Sequence, residues 1–285
     1  MRSALLLTLC ACLVTTAGRI ALLAVPAAIR PLPQMLLTLL AFGGCAYLGL
    51  CVLDGDQRKM LAHSAPGRAQ ILHLALLGIL AVCPMTLLSD LWRALFSPGV
   101  SVQYAGIAYG ADAALFLVQM ISSALLAPIC EELFFRGYLQ GALERYGRGR
   151  AVAAAALCFA LVHGMNVGAL AVHALLGVLL GALMIKTRTI YAPMLVHGCY
   201  NLTVILISYS GLTPLFSNLT LVSCALRLLG CAAFAAALRK AYVFRASVMT
   251  QGERQAFDLS RKEAALLIAA LLATICACVI SGVTA

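Results

Sequence analysis

The feature that most limits the fold of this chain is a succession of long apolar stretches joined by short polar links. A helix of about 20 apolar residues spans the hydrocarbon core of a bilayer, and most of these stretches have that length. The composition agrees, because 63% of the residues are hydrophobic and 11% are charged, whereas about a quarter are charged in soluble domains. We therefore predict an all-α, polytopic membrane helix bundle with about eight or nine transmembrane helices. The apolar stretches are residues 4–27, 34–53, 71–89, 112–130, 151–163, 167–185, 190–209, 217–238 and 264–284.

The positions of the basic residues predict the orientation of the chain in the membrane. Of the 20 Lys and Arg residues, only Arg30 and Arg93 fall in links that would face outward if the N-terminus is cytoplasmic. An excess of Lys and Arg in cytoplasmic links is typical of membrane proteins. We therefore expect a cytoplasmic N-terminus and place residues 131–150 at the cytoplasmic face. The net charge of +10 then reflects basic links that contact lipid headgroups, so the lipid bilayer is the expected partner. No phosphate-binding motif and no basic motif with aromatic residues indicates nucleic acid as a partner.

The first apolar stretch has a second interpretation. Residues 16–18 read Thr-Ala-Gly and resemble the cleavage site of a secretory signal peptide. The apolar character nevertheless continues through residues 20–29, so we expect a transmembrane helix here and keep cleavage as the alternative.

Two carboxylates and a guanidinium directly follow the fourth apolar stretch, in the sequence Glu131-Glu132-Leu-Phe-Phe-Arg136. Ionisable groups at membrane depth are costly and mark functional sites. In a helix Glu132 and Arg136 lie on one face at a spacing that favours an ion pair. Glu131 points roughly 100° away from Glu132 and is left for the bundle interior, where a carboxylate can act as a general base. The alternative is that both carboxylates lie in cytoplasmic water beside a basic loop.

Histidines in two further stretches are the natural partners of Glu131. His163 ends the fifth stretch, with Phe159 one helical turn before it. His197 has Asn201 four residues later on the same helical face, and two such donors converging on one point can stabilise an oxyanion. The structural alternatives are a helix-end hydrogen bond for His163 and interhelical hydrogen bonding for His197 and Asn201. Separations beyond about 8 Å between Glu131 and His163 would exclude a shared bridging water.

Other polar residues in or near the stretches are given structural interpretations. His73 and His173 have no supporting partner at helical spacing, so both are interpreted as structural. Asp90 and Asp112 lie near the predicted outer face and are expected to be solvated. Arg227 lies alone within the eighth stretch and receives no assignment.

Taken together, a carboxylate and an imidazole can activate water while a second histidine and an asparagine bind the oxyanion of a tetrahedral intermediate. In this arrangement the chain resembles the CPBP intramembrane proteases, the CAAX-protease and bacteriocin-processing group also called the Abi family. The resemblance covers residues 112–206 as a catalytic core of four spans, between N-terminal helices in 1–111 and C-terminal helices in 207–285. The matching motifs are Glu131-Glu132-x-x-x-Arg136, Phe159-x-x-x-His163 and His197-x-x-x-Asn201.

The resemblance implies an intramembrane endopeptidase whose cavity opens toward the cytoplasm. Its substrate would be a peptide or a membrane-protein segment. Glu131 and His163 would activate the water, and His197 and Asn201 would form the oxyanion site. The remaining motif residues, Glu132, Arg136 and Phe159, would be structural.

The residues leave the cofactor open, since members of this family have been described both as metalloproteases and as glutamate-dependent enzymes. Glu131, His163 and His197 could bind a divalent metal such as zinc as a His₂Glu set. The chain has no His-Glu-x-x-His helix, and we favour water activation without a metal.

Two other functions stay open at this stage. A non-enzymatic scaffold or bacteriocin-immunity protein could use the same fold, and a proton-coupled transporter could use intramembrane Glu and His residues, although no inverted repeat is present. Because no retention signal for an internal organelle is found, a prokaryotic plasma membrane is the expected location.

Overall fold

The computed structural model describes residues 2–22, 24–26, 30–53, 66–96, 113–163, 167–217 and 220–241. In this part of the chain, 92% of the residues are helical and none forms a β-strand, which confirms the predicted all-α class. The described helices are numbered in chain order: α1 Arg2–Leu22, α2 31–53, α3 Arg68–Phe96, α4 Ala113–Tyr146, α5 Arg148–Val162, α6 Val167–Thr187, α7 Tyr191–Tyr209, α8 Thr213–Ser217 and α9 Leu221–Ala241.

Seven of the described helices are long and apolar enough to cross a membrane, which confirms a polytopic bundle. They are α1, α2, α3, α4, α6, α7 and α9. The predicted fifth span is α5, whose 15 residues rise only about 22 Å, less than the thickness of a bilayer core. The predicted ninth span, residues 264–284, lies outside the described residues.

The helices pack around α3, which contacts α6, α7 and α9 along its length, while α5 and α6 form an antiparallel hairpin. Large apolar side chains cover much of the outer surface, and in a bilayer these side chains contact lipid. Leu40, Leu72, Leu95, Leu221 and Leu229 are among them, each at least 69% exposed.

An aromatic cluster joins α2, α4 and α5 in the interior. Phe134 and Phe135 on α4 pack edge to face, with ring centroids 5.0 Å apart. Phe135 also meets Phe42 of α2 at 5.4 Å and Phe159 of α5 at 5.3 Å. These contacts fix the part of α4 that carries the carboxylates against its neighbours.

A buried ion pair links α3 to α9, and it corrects the expectation for Asp90. Asp90 is 3% exposed and accepts hydrogen bonds from Arg227 and, at 2.6 Å, from Arg93. The prediction that Asp90 is solvated is therefore wrong, because a residue 137 positions away brings the compensating charge. Asp112 lies outside the described residues.

Candidate active site

The local structure of α4 places its two carboxylates toward the bundle interior. The helix widens into π-helical segments at Met120–Leu126 and Leu133–Gln140, with an α-helical segment, Ala127–Glu132, between them. Pro128 lies near the start of that middle segment, where its missing N–H interrupts the regular hydrogen-bond ladder. Irregular helical turns of this kind are frequent at functional sites.

Glu132 forms the predicted ion pair with Arg136 and also fixes a histidine. Arg136 Nη1 donates to Glu132 Oε1 at 2.9 Å, and both side chains are buried. Arg136 Nη2 also donates to the carbonyl of Gly177 on α6, at 3.2 Å. His197 Nδ1 lies 2.8 Å from the same Glu132 oxygen, and since a carboxylate accepts, the histidine nitrogen carries the proton. The pair of Glu132 and Arg136 therefore links α4 to α6 and α7, and its carboxylate orients His197.

Glu131 is buried and faces two imidazoles. Its Oε2 lies 3.6 Å from His163 Nε2 and 4.0 Å from His197 Nε2. His163 Nδ1 lies 2.7 Å from the carbonyl oxygen of Phe159, to which it must donate. In the neutral form of this ring, Nε2 therefore directs its lone pair toward Glu131. The separation of Glu131 and His163 is far below the 8 Å or so beyond which one water could not bridge them.

Phe159 packs at the centre of this cluster. Its ring centroid lies 4.4 Å from that of His163 and 5.6 Å, edge to face, from that of His197. The Arg136 guanidinium carbon lies 4.5 Å from the same centroid, in a cation–π contact. The fully buried Phe159 ring therefore contacts the Arg136 guanidinium as well as both histidines that face Glu131.

Asn201 is held against the first π-helical segment of α4. Its Nδ2 donates to the carbonyl of Ser123 at 2.8 Å, a bond that uses one of its two N–H groups. Gly198, one turn earlier, permits this approach, because a Cβ there would lie 2.8 Å from the carbonyl oxygen of Ala124.

One cavity of about 520 Å³ contains all four predicted catalytic residues in its wall: Glu131, His163, His197 and Asn201. Six helices contribute to the lining, and the part from α1 and α2 includes the polar side chains of Arg19 and Gln34. The structure thus brings the predicted site residues together.

Two contacts of the site were not predicted from the sequence. Glu132 was expected to pair with Arg136 alone, because no local pattern indicates its bond to His197 on another helix. His173 was interpreted as structural, and its ring stacks on that of His163 at the cavity wall, with centroids 4.2 Å apart. No local pattern indicates this contact, because it depends on how α5 and α6 pack against each other. His73 bonds the carbonyl of Ala237 at 2.8 Å, consistent with a structural role.

A zinc site formed by Glu131, His163 and His197 would require particular distances between their donor atoms. Ligand atoms of a tetrahedral zinc ion lie about 3.3–3.5 Å apart, given bonds of about 2.0–2.2 Å. The separation of His197 Nε2 from Glu131 Oε2, 4.0 Å, is wider. Within the described ranges, no group of three or more His, Cys, Asp or Glu side chains is arranged to hold a metal ion. The separation of His163 Nε2 from Glu131 Oε2, 3.6 Å, is close to the zinc range, so it is the position of His197 that does not fit a preformed zinc centre.

The protein is therefore a polytopic membrane protein in which a carboxylate and imidazoles line an interior cavity. The model of the family described as type II CAAX prenyl endopeptidase Rce1-like matches residues 113–203. This match confirms the resemblance to the CPBP and CAAX proteases over those residues and supports intramembrane endopeptidase activity in general. No curated protein and no solved structure matches the chain.

Proposed function

We propose that this protein is an intramembrane endopeptidase that hydrolyses a peptide bond in the 520 Å³ cavity. The observation that carries the proposal is that His163 Nε2 and His197 Nε2 each lie within 4.0 Å of Glu131 Oε2 at the cavity wall. A carboxylate and the lone pair of a neutral imidazole both accept protons, so a water molecule is the natural donor between them. A buried water with such partners is ready for deprotonation.

Glu131 and His163 together activate this water in the proposed mechanism. Glu131 accepts a proton as the water oxygen attacks the carbonyl carbon of the substrate, and the water is oriented by His163 Nε2, which lies 3.6 Å from Glu131 Oε2. The same proton then passes to the leaving amine. The hydrogen bond from His163 Nδ1 to the carbonyl of Phe159 keeps the proton on Nδ1, so that Nε2 can accept a hydrogen bond from the water.

His197 and Asn201 stabilise the oxyanion. In the proposed mechanism His197 carries a proton on Nε2 as well as on Nδ1 when the oxyanion forms. His197 then donates from Nε2 while Nδ1 stays on Glu132, 2.8 Å away. The N–H of Asn201 that does not bond Ser123 is the second donor.

The substrate we propose is an extended peptide or an unwound membrane-protein segment in the bilayer. Residues of α1 and α2 form part of the cavity wall, so these helices shape what the cavity accepts. Both helices lie outside residues 113–203, which the family model matches. We propose that the cavity mouth lies on the cytoplasmic side, because Lys and Arg are concentrated in the links that would face the cytoplasm. The proposed location is a prokaryotic plasma membrane.

The first test is peptide hydrolysis by the purified protein in liposomes, compared with Asn201→Leu. We expect wild-type turnover of an internally quenched peptide, and loss of one oxyanion donor should lower kcat about 10²–10³-fold with little change in KM. Thr203→Val on the same helix is the matched control, because its hydroxyl only bonds the carbonyl of Cys199, at 2.7 Å. Absence of turnover by the wild type would favour a scaffold or immunity protein, and proton flux across the liposomes would favour a transporter.

The second test concerns zinc. Because His197 Nε2 lies too far from Glu131 Oε2 for a preformed zinc centre, we expect substoichiometric zinc in the active protein and no loss of turnover after chelation. Elemental analysis of the purified protein, before and after chelator treatment, measures this. One zinc ion per chain, with turnover lost on chelation and restored by zinc, would contradict the metal-free mechanism.

A further inference from the structure

His173 on α6 is a histidine of the cavity wall that the proposed mechanism does not use. It belongs to none of the three motifs that carry the resemblance. Its ring is nearly parallel to that of His163, with 17° between the planes and 4.2 Å between the centroids. A stacked contact of this kind restricts rotation of the partner ring.

His163 is contacted from two different directions. Phe159 lies 4.4 Å from His163, and Phe159 and His173 are 6.0 Å from each other. His173 therefore covers the face of the His163 ring, while Phe159 approaches it from the side. The bond from Nδ1 to the Phe159 carbonyl adds a third restraint.

His173 is itself fixed, which makes its ring a rigid support. Its Nδ1 donates to the carbonyl of Ala169 at 2.6 Å, one turn earlier on α6. The α5–α6 hairpin is also tightly packed, since a Cβ on Gly177 would lie 2.9 Å from the Cα of Ala156. A ring anchored to its own backbone, on a closely docked helix, has little freedom to move.

We propose that His173 is a positioning residue whose imidazole fixes the plane of the His163 ring, so that His163 Nε2 stays directed at Glu131. This inference rests on the proposed function, in which His163 orients the attacking water. Small misplacements of such a group are costly, since a shift of about 1 Å can lower a rate about 10²-fold.

The kinetic test compares three substitutions of His173 in the full-length protein in liposomes. His173→Ala and His173→Leu remove the flat ring, and we expect kcat to fall about 10- to 100-fold while KM changes less than about twofold. His173→Phe restores a flat ring without the imidazole nitrogens and should keep kcat within about threefold of wild type. If His173→Ala unfolds, the comparison of Leu with Phe decides the question.

His73→Leu on α3 is the matched control. It removes an intramembrane histidine whose ring bonds a backbone carbonyl on α9, outside the cavity lining. We expect lower thermal stability and an unchanged kcat per folded molecule. Wild-type kcat in both His173→Ala and His173→Leu, or a loss in His173→Phe as large as in His173→Ala, would overturn the positioning role.

A spectroscopic readout separates this inference from the proposed function. In ¹⁵N-histidine NMR of the protein in nanodiscs, we expect His163 to show one tautomer with the proton on Nδ1, in wild type and in His173→Phe. In His173→Ala the signals should broaden or average between tautomers. Unchanged His163 signals in His173→Ala would overturn the inference. A wild-type protein without peptidase activity would contradict the proposed function alone.

Discussion

We expect Glu131→Gln to remove peptide hydrolysis while leaving the protein folded. The substitution keeps the size of the side chain but removes the only group proposed to take the proton of the attacking water. General-base catalysis contributes about 10²–10⁴-fold to a rate, so turnover should fall by at least about 10²-fold. KM should change little, because the amide can still occupy the wall of the cavity. Turnover in liposomes and thermal unfolding in detergent measure the two effects.

Glu144→Gln is the matched control for this substitution. Glu144 lies on the same helix, forms an ion pair with Arg188 at 3.1 Å, and is not part of the cavity wall. It should keep wild-type turnover, with at most a small loss of stability. Full activity in Glu131→Gln would contradict the proposed mechanism, because a group other than Glu131 would then have to take the proton of the attacking water.

We expect Arg136→Met to be the most destabilising single change near the site. Arg136 and Glu132 are both fully buried, and removing one partner leaves the other charge uncompensated. Breaking a buried ion pair in this way costs about 3–5 kcal/mol of unfolding free energy. The bond from Arg136 to the Gly177 carbonyl is also lost, which loosens α4 from α6. Reversible unfolding in mixed micelles measures the change.

The double variant Glu132→Leu/Arg136→Met separates stability from activity. Replacing both members of a buried pair with apolar side chains is often neutral or stabilising, so we expect most of the lost stability to return. Turnover should stay low, because His197 Nδ1 has lost the acceptor 2.8 Å away that orients its ring. If the double variant regained full activity, Glu132 would have no part in orienting His197.

Much of the site could be predicted because its elements are local. The four-residue spacing of Glu132 and Arg136 places them on one helical face wherever the helix lies, and the observed pair follows from it. The direction of Glu131 away from that pair follows from the same period. The motif that carries His197 and Asn201 is local as well, and both line the cavity.

Contacts between helices could not be predicted, since they depend on how far each helix is rotated about its own axis. The bond between His197 and Glu132 joins residues 65 positions apart, and the pair of Asp90 with Arg227 joins residues 137 apart. No period within one helix reports on either contact. The stacking of His173 on His163 depends in the same way on how α5 and α6 pack together.

The sequence by itself determined the membrane bundle, because apolar stretches of bilayer length cannot be buried in any other fold of this chain. It also determined which side chains are chemically able to act, since ionisable groups in such stretches are few. Only the tertiary structure decided which of them meet. Close packing at small residues such as Gly177 and Gly198 sets the rotation and approach of each helix, and that geometry directs Glu131 toward two imidazoles around one cavity.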